Sequence, residues 1–99
     1  MTEFEVLTSA RKILELSESA TMEEIKQQYK KLMKKWHPDG CRENPETCEK
    51  MSRKVIEANR IILEYCTNYR FSFSREAVEK NASEDSWWLQ RFGDDPIWG

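Results

Sequence analysis

The apolar residues of two long segments recur every three or four positions, and this spacing constrains the fold more than any other feature. In residues 21–36 they are Met22, Ile25, Tyr29, Leu32, Met33 and Trp36. In residues 45–66 they are Cys48, Met51, Val55, Ala58, Ile62 and Tyr65 or Cys66. This spacing places apolar side chains along one face of an α-helix. The two segments are therefore predicted to be amphipathic helices that pack through their apolar faces.

Residues that begin and end helices stand at the boundaries of both segments. Thr21 with Glu24 is a capping-box pattern, and Asn44-Pro45 supplies an N-cap followed by proline at the first helical position. Pro38 disfavours helical backbone at the residue before it, so the first of these helices should end at Trp36. The connection of roughly eight residues suits antiparallel neighbours. We therefore predict a helical hairpin over about 21–36 and 45–66.

A shorter helical pattern precedes the hairpin. Thr2 with Glu5 forms another capping-box pattern, which begins a helix that should run from about Glu3 to Glu15. Its apolar stripe consists of Phe4, Leu7, Ala10 and Leu14. This helix is predicted to pack across the hairpin.

The helical pattern weakens toward the C-terminus. Ser74 is expected to cap a short helix over residues 75–80, and Ser83 or Ser86 to begin another that ends at Gly93. With 99 residues, 38% of them hydrophobic, the chain suits one small domain with a thin core. Three glycines and three prolines argue against a multi-turn β architecture. We expect an all-α domain over 1–72 and an acidic, aromatic extension over 73–99 packed on or beside it.

The chain shows no sign of a membrane span or a signal peptide. No apolar run approaches the roughly 20 residues that cross a bilayer, and the N-terminus is acidic. Cys41, Cys48 and Cys66 form an odd set, which argues against a disulfide framework and fits a reducing compartment. Cys48 and Cys66 are interpreted as small core residues, and the spacing of Cys41 and Cys48 is wider than in common zinc motifs. We expect a cytoplasmic protein without a metal or cofactor.

Lysines crowd the polar side of the first hairpin helix. They are Lys26, Lys30, Lys31, Lys34 and Lys35. Like-charge pairs four residues apart cost about 0.2–0.5 kcal/mol each, and no acid after Glu24 offsets them within this helix. A row that costs stability without internal compensation is a candidate binding surface. The alternative is that the lysines form an ordinary solvated face, whose positive charge is reduced by Glu49, Glu57 or Glu64 across the hairpin.

The tripeptide His37-Pro38-Asp39 follows this helix directly. No evident nucleophile, glycine-rich phosphate loop or carboxylate pair accompanies it, so an enzyme is the least favoured interpretation. In a purely structural role, His37 would cap the helix and Asp39 would start a turn. In a recognition role, Pro38 limits loop freedom, so the imidazole and carboxylate are presented at little ordering cost.

Three stretches of this region together resemble a DnaJ-type J domain. They are Ile13-Leu14-Glu15-Leu16-Ser17-Glu18-Ser19-Ala20-Thr21, Glu24-Ile25-Lys26-Gln27-Gln28-Tyr29-Lys30-Lys31-Leu32 and Lys35-Trp36-His37-Pro38-Asp39. Residues 55–62 resemble the third helix of that family, and the match spans about Ile13 to Leu63. The chain has Glu15 where the family usually has glycine, and Trp36 where it usually has tyrosine. It has Ser52 where a core phenylalanine is usual, and Asn59 where a tyrosine is common.

The resemblance implies a co-chaperone that is not itself an enzyme. Such domains bind an ATP-loaded DnaK-type heat-shock chaperone and accelerate its ATP hydrolysis. By position, the stimulating triplet would be His37, Pro38 and Asp39. The further partner contacts would be Lys26, Tyr29, Lys30, Lys31 and Lys35.

Other functions stay open at this point. The aromatic residues of the extension either bind a client or docking partner or widen the core: Trp87, Trp88, Phe92 and Trp98. A degenerate J-like module would dock without stimulating an ATPase. Nucleic-acid binding through the lysine-rich helix is less favoured, because the C-terminus is acidic and the net charge is −2.

Overall fold

The computed structural model describes residues 1–81, which contain four α-helices and no β-strand within that range. The helices are α1 (Glu3–Ile13), α2 (Met22–Trp36), α3 (Pro45–Asn68) and α4 (Arg75–Asn81). The chain divides into two compact units, Met1–Tyr69 and Arg70–Gly99. None of the helices in the described part is long and apolar enough to cross a membrane. The expected all-α class is confirmed.

Helices α2 and α3 form the predicted hairpin. Thr21 and Glu24 make a complete capping box, in which the Thr21 hydroxyl accepts from the Glu24 amide and the Glu24 carboxylate accepts from the Thr21 amide. Asn44 caps α3 by accepting from the Glu46 amide at 2.8 Å, ahead of Pro45. Helix α3 continues two residues beyond its predicted end, to Asn68.

The core lies where α1 and α2 both pack against α3. Its buried side chains are Ala10, Leu14, Leu16, Ile25, Leu32, Val55, Ala58 and Ile62. Most of the predicted stripes face this cluster, but Phe4 is 76% exposed, contrary to expectation. Ser52 stands at a usual phenylalanine position and is buried, and its hydroxyl donates to the Glu49 carbonyl at 2.9 Å. The buried hydroxyl group of Ser52 therefore has a hydrogen-bond partner.

Helix α1 ends two residues earlier than predicted, because the backbone turns left-handed at Glu15 (φ 54°). The Glu15 amide donates to the Lys12 carbonyl, and the Leu16 amide donates to the Arg11 carbonyl. This is a Schellman motif, and the burial of Leu16 provides its usual apolar contact. Glycine, which the J domains that this chain resembles usually have at this position, suits the conformation, and a side chain here is strained.

A side chain of α2 joins that helix to the end of α1. The Gln28 amide donates to the carbonyl oxygens of Leu14 at 3.1 Å and Glu15 at 3.3 Å. These bonds satisfy carbonyls that the end of α1 leaves without helical partners. The turn at Glu15 is thereby held against the first half of α2.

The predicted helix cap at Ser74 is also confirmed. The Ser74 hydroxyl accepts from the Ala77 amide at 3.2 Å, and its carbonyl accepts from the Val78 amide. Helix α4 follows from Arg75. The further helix expected between Ser83 or Ser86 and Gly93, and the aromatic residues of that region, lie outside the described residues.

Candidate partner-binding surface

The turn after α2 presents His37, Pro38 and Asp39. His37 is extended (φ −60°, ψ 133°), as the following proline requires, and its amide donates to the Met33 carbonyl at 2.7 Å. The His37 carbonyl in turn accepts from the amides of Gly40 and Cys41 at 3.0 and 2.9 Å. The chain therefore reverses direction within a few residues of the helix end.

The two ionisable side chains of this turn both face solvent. The Asp39 amide donates to His37 Nδ1 at 3.2 Å, and Asp39 Oδ2 lies 3.7 Å from the same nitrogen. With Nδ1 as acceptor, the neutral imidazole carries its proton on Nε2. The His37 side chain is 53% exposed and the Asp39 side chain is 94% exposed. No donor within residues 1–81 hydrogen-bonds to the Asp39 carboxylate, which is free to accept from a partner.

All five lysines of α2 are exposed, and the turn with His37, Pro38 and Asp39 follows directly at the C-terminal end of this helix. Lys26, Lys30 and Lys34 follow one another at intervals of four, and Lys34 was not among the predicted contacts. Lys35 Nζ lies 5.0 Å from the centroid of the Trp36 ring, a cation–π distance. Tyr29, one of the predicted contacts, is half-buried and packs against the core.

The acids of α3 do not neutralise this lysine row. Glu49 pairs with Arg53, and both Glu57 and Glu64 pair with Arg60. None of these three glutamates therefore forms an ion pair with the lysine row across the hairpin. The hydrogen bond from Arg60 lowers the pKa of Glu57, and the same bond raises the pKa of Arg60. Among the described residues, no carboxylate lies within ion-pair distance of the α2 lysines.

The cysteines contradict the expectation that the chain forms no disulfide. Cys41 and Cys48 form a disulfide, with their Cα atoms 6.1 Å apart, so the odd cysteine count did not exclude a bridge. Cys48 is buried as predicted but is not an ordinary core thiol, whereas Cys66 is free and half-buried. The part of the chain seen here holds no cluster of ligands suited to a metal ion. The predicted Asn44 cap places Cys48 early in α3, close to the loop that contains Cys41, and this closeness was the sign of a bridge that the sequence analysis did not use.

Comparison with known proteins agrees with this geometry. The family model described as "DnaJ domain" matches residues 10–65. "Chaperone protein DnaJ" of Thermosipho melanesiensis is 48% identical over 50 residues, which is 50% of this chain and 13% of that protein. "DnaJ-like protein R260" of Acanthamoeba polyphaga mimivirus is 39% identical over 80 residues, which is 80% of this chain and 20% of that protein.

A plant relative extends the similarity along the chain. "DnaJ protein P58IPK homolog B" of Oryza sativa is 32% identical over 82 residues, which is 83% of this chain and 17% of that protein. The chain thus spans a fifth or less of the length of these relatives. No solved structure matches it significantly. Because the family model covers more than half of the sequence and the helices follow the expected order, the chain belongs to the DnaJ domain family.

Proposed function

We propose that this chain is a co-chaperone that binds a DnaK-type heat-shock chaperone and stimulates its ATP hydrolysis. His37, Pro38 and Asp39 would form the stimulating element. The surrounding contacts would come from the lysine row and its neighbour, namely Lys26, Tyr29, Lys30, Lys31 and Lys35. Family membership supports this assignment, as do relatives that are named chaperone proteins.

The observation that carries the proposal is that charges of opposite sign are exposed on neighbouring elements, namely the lysines on α2 and Asp39 in the turn that follows it. The Asp39 carboxylate has no donor among the described residues, and the lysines behind it have no acid. A partner that satisfies both must offer cations to Asp39 and anions to α2. Such complementarity fixes the orientation of a complex as well as its rate of formation. A nucleic acid would satisfy the lysines but would repel Asp39.

The chemistry of ATP hydrolysis would belong to the partner. This chain would act by binding one conformation of the partner more tightly than another, which shifts the conformational equilibrium. Asp39 would compete for cationic side chains that hold the ATP-bound conformation in place. We place this activity in the cytoplasm. Client or partner binding by Trp87, Trp88, Phe92 and Trp98 stays a prediction, since these residues lie outside the described part.

Single-turnover ATP hydrolysis by a purified DnaK-type chaperone tests the proposal. The native chain should raise the rate, and Asp39→Asn should reduce the stimulation about 10- to 100-fold, the loss expected for one charge-assisted contact. Glu43→Gln is the matched control, because it removes an exposed carboxylate from the same loop. It should stimulate like the native chain, and circular dichroism should show that both variants remain helical.

A second pair of variants tests the lysine row. Lys30→Gln should weaken binding to the partner, whereas Lys54→Gln, which removes an exposed lysine from α3, should not. Equal stimulation by the native chain and Asp39→Asn would reject the role of Asp39. Binding without stimulation would identify a docking module. Absence of stimulation together with tight binding of RNA or DNA would favour the nucleic-acid alternative.

A further inference from the structure

The disulfide lies at the base of the turn that presents Asp39. Cys41 follows Asp39 by two residues, and Cys48 belongs to the early part of α3, seven positions further on. On its other side, the turn is fixed to the end of α2 by the hydrogen bond from the His37 amide to Met33. The tripeptide is therefore held between two anchors, one on each helix of the hairpin.

The anchor on α3 depends on the disulfide. Within residues 1–81, no hydrogen bond or ion pair links positions 37–43 to α3. The other bonds of the turn are local, from the amides of Asp39, Gly40 and Cys41 to His37. Opening the disulfide would release Cys41 from the helix and leave these local bonds to order the loop.

The bond lies beside the apolar cluster that joins the three helices, not within it. It closes a short loop, and Cys48, although 1% exposed, is outside the cluster of apolar side chains that joins the three helices. Cys41 is half-buried, so it is the more accessible residue of the bridge. Cytoplasmic disulfides are usually transient and redox-responsive.

We propose that the Cys41–Cys48 disulfide is a thiol–disulfide exchange site, and that its reduction by a dithiol weakens the action of the adjacent His37-Pro38-Asp39 turn. This inference rests on the proposed co-chaperone function. In the oxidised chain the turn is pre-organised, so the partner binds it at low ordering cost. In the reduced chain the loop must be ordered when the partner binds, which weakens binding.

The exchange proceeds through Cys41, the more accessible residue of the bridge. A thiolate of the dithiol attacks Cys41 Sγ and forms a mixed disulfide, and Cys48 leaves as a thiolate that takes up a proton. The second thiol of the reductant then displaces Cys41, which also becomes a thiol, and the reductant ends as its own disulfide. Two electrons and two protons pass to the chain. Oxidation by a disulfide of the same class reverses each step.

The test compares oxidised and dithiothreitol-reduced full-length chain in the single-turnover ATPase assay. The oxidised form should reach half-maximal stimulation at a concentration roughly fivefold lower, the order expected when about one loop residue need not be ordered on binding. Cys41→Ser should behave like the reduced form and ignore dithiothreitol. Cys66→Ser, which removes the free thiol and keeps the disulfide, should respond to dithiothreitol like the native chain.

Amide hydrogen exchange provides a readout that is independent of the partner. Reduction should speed exchange at Gly40 and Cys41 while the helical core stays protected. Equal half-maximal concentrations for both forms, or stronger action of the reduced form, would overturn the redox inference and leave the proposed function standing. A failure of both forms to stimulate would reject the proposed function and this inference with it.

Discussion

The left-handed residue at the end of α1 gives a sharp test of how this chain departs from its family. Glu15 has φ 54°, a conformation that costs an L-residue roughly 1–2 kcal/mol relative to glycine. Its side chain is exposed and makes no hydrogen bond or ion pair with another described residue. Glu15→Gly should therefore relieve the strain without removing a contact.

The net gain is smaller than the strain itself. Glycine adds freedom to the unfolded chain, which costs about 0.5–1 kcal/mol. The difference predicts that Glu15→Gly raises the free energy of unfolding by about 0.5–1 kcal/mol. For a domain of this size, the thermal midpoint should rise by about 3–6 °C.

Urea unfolding followed by circular dichroism measures this change, and Glu15→Ala is the matched control. Alanine removes the same charge and side chain but keeps the Cβ atom that causes the strain, so it should give little or no gain. An equal gain from alanine and glycine would refute the backbone argument. A loss of stability in Glu15→Gly would show that the turn is not strained by its side chain.

Three further changes test local features. Thr21→Ala should lower the free energy of unfolding by about 1 kcal/mol in urea titrations, because it removes the N-cap of α2; no loss would mean that the cap is dispensable. Arg60→Gln should raise the pKa of Glu57 toward its ordinary value in an NMR titration. Since that pKa is lowered in the native chain, the pair's contribution to stability is present above the ordinary glutamate pKa and disappears as the pH falls through the folded value; an unchanged titration would contradict this. Cys41→Ser should lower the free energy of unfolding by about 2.5 kcal/mol, the chain-entropy value for the short loop that Cys48 closes; an unchanged urea midpoint would count against that value.

The helices were predictable because their signals are local. Thr21, Asn44 and Ser74 each cap a helix where their side chains and the following residues indicate it. The exposure of Phe4 was not predictable, because periodicity identifies the apolar face of α1 but not how far along it the neighbouring helix reaches.

The candidate site likewise has features that the sequence predicts and features that it does not. Pro38 and the polar side of α2 were enough to predict an exposed turn beside exposed lysines. The arginine partners of the α3 glutamates could have been found from their spacing of three and four residues. The disulfide could not be found by counting cysteines, because it depends on where the loop places Cys41 relative to α3.

The unpaired ammonium groups along α2 also make the interactions of this surface depend on ionic strength. Each group collects mobile anions from the solution, and carboxylates on an approaching protein would displace them. Long-range attraction of this kind fades as the Debye length falls, from about 10 Å at 0.1 M to about 3 Å at 1 M ionic strength. A cell that concentrates its salts during water loss would therefore slow such encounters without changing any residue of either protein.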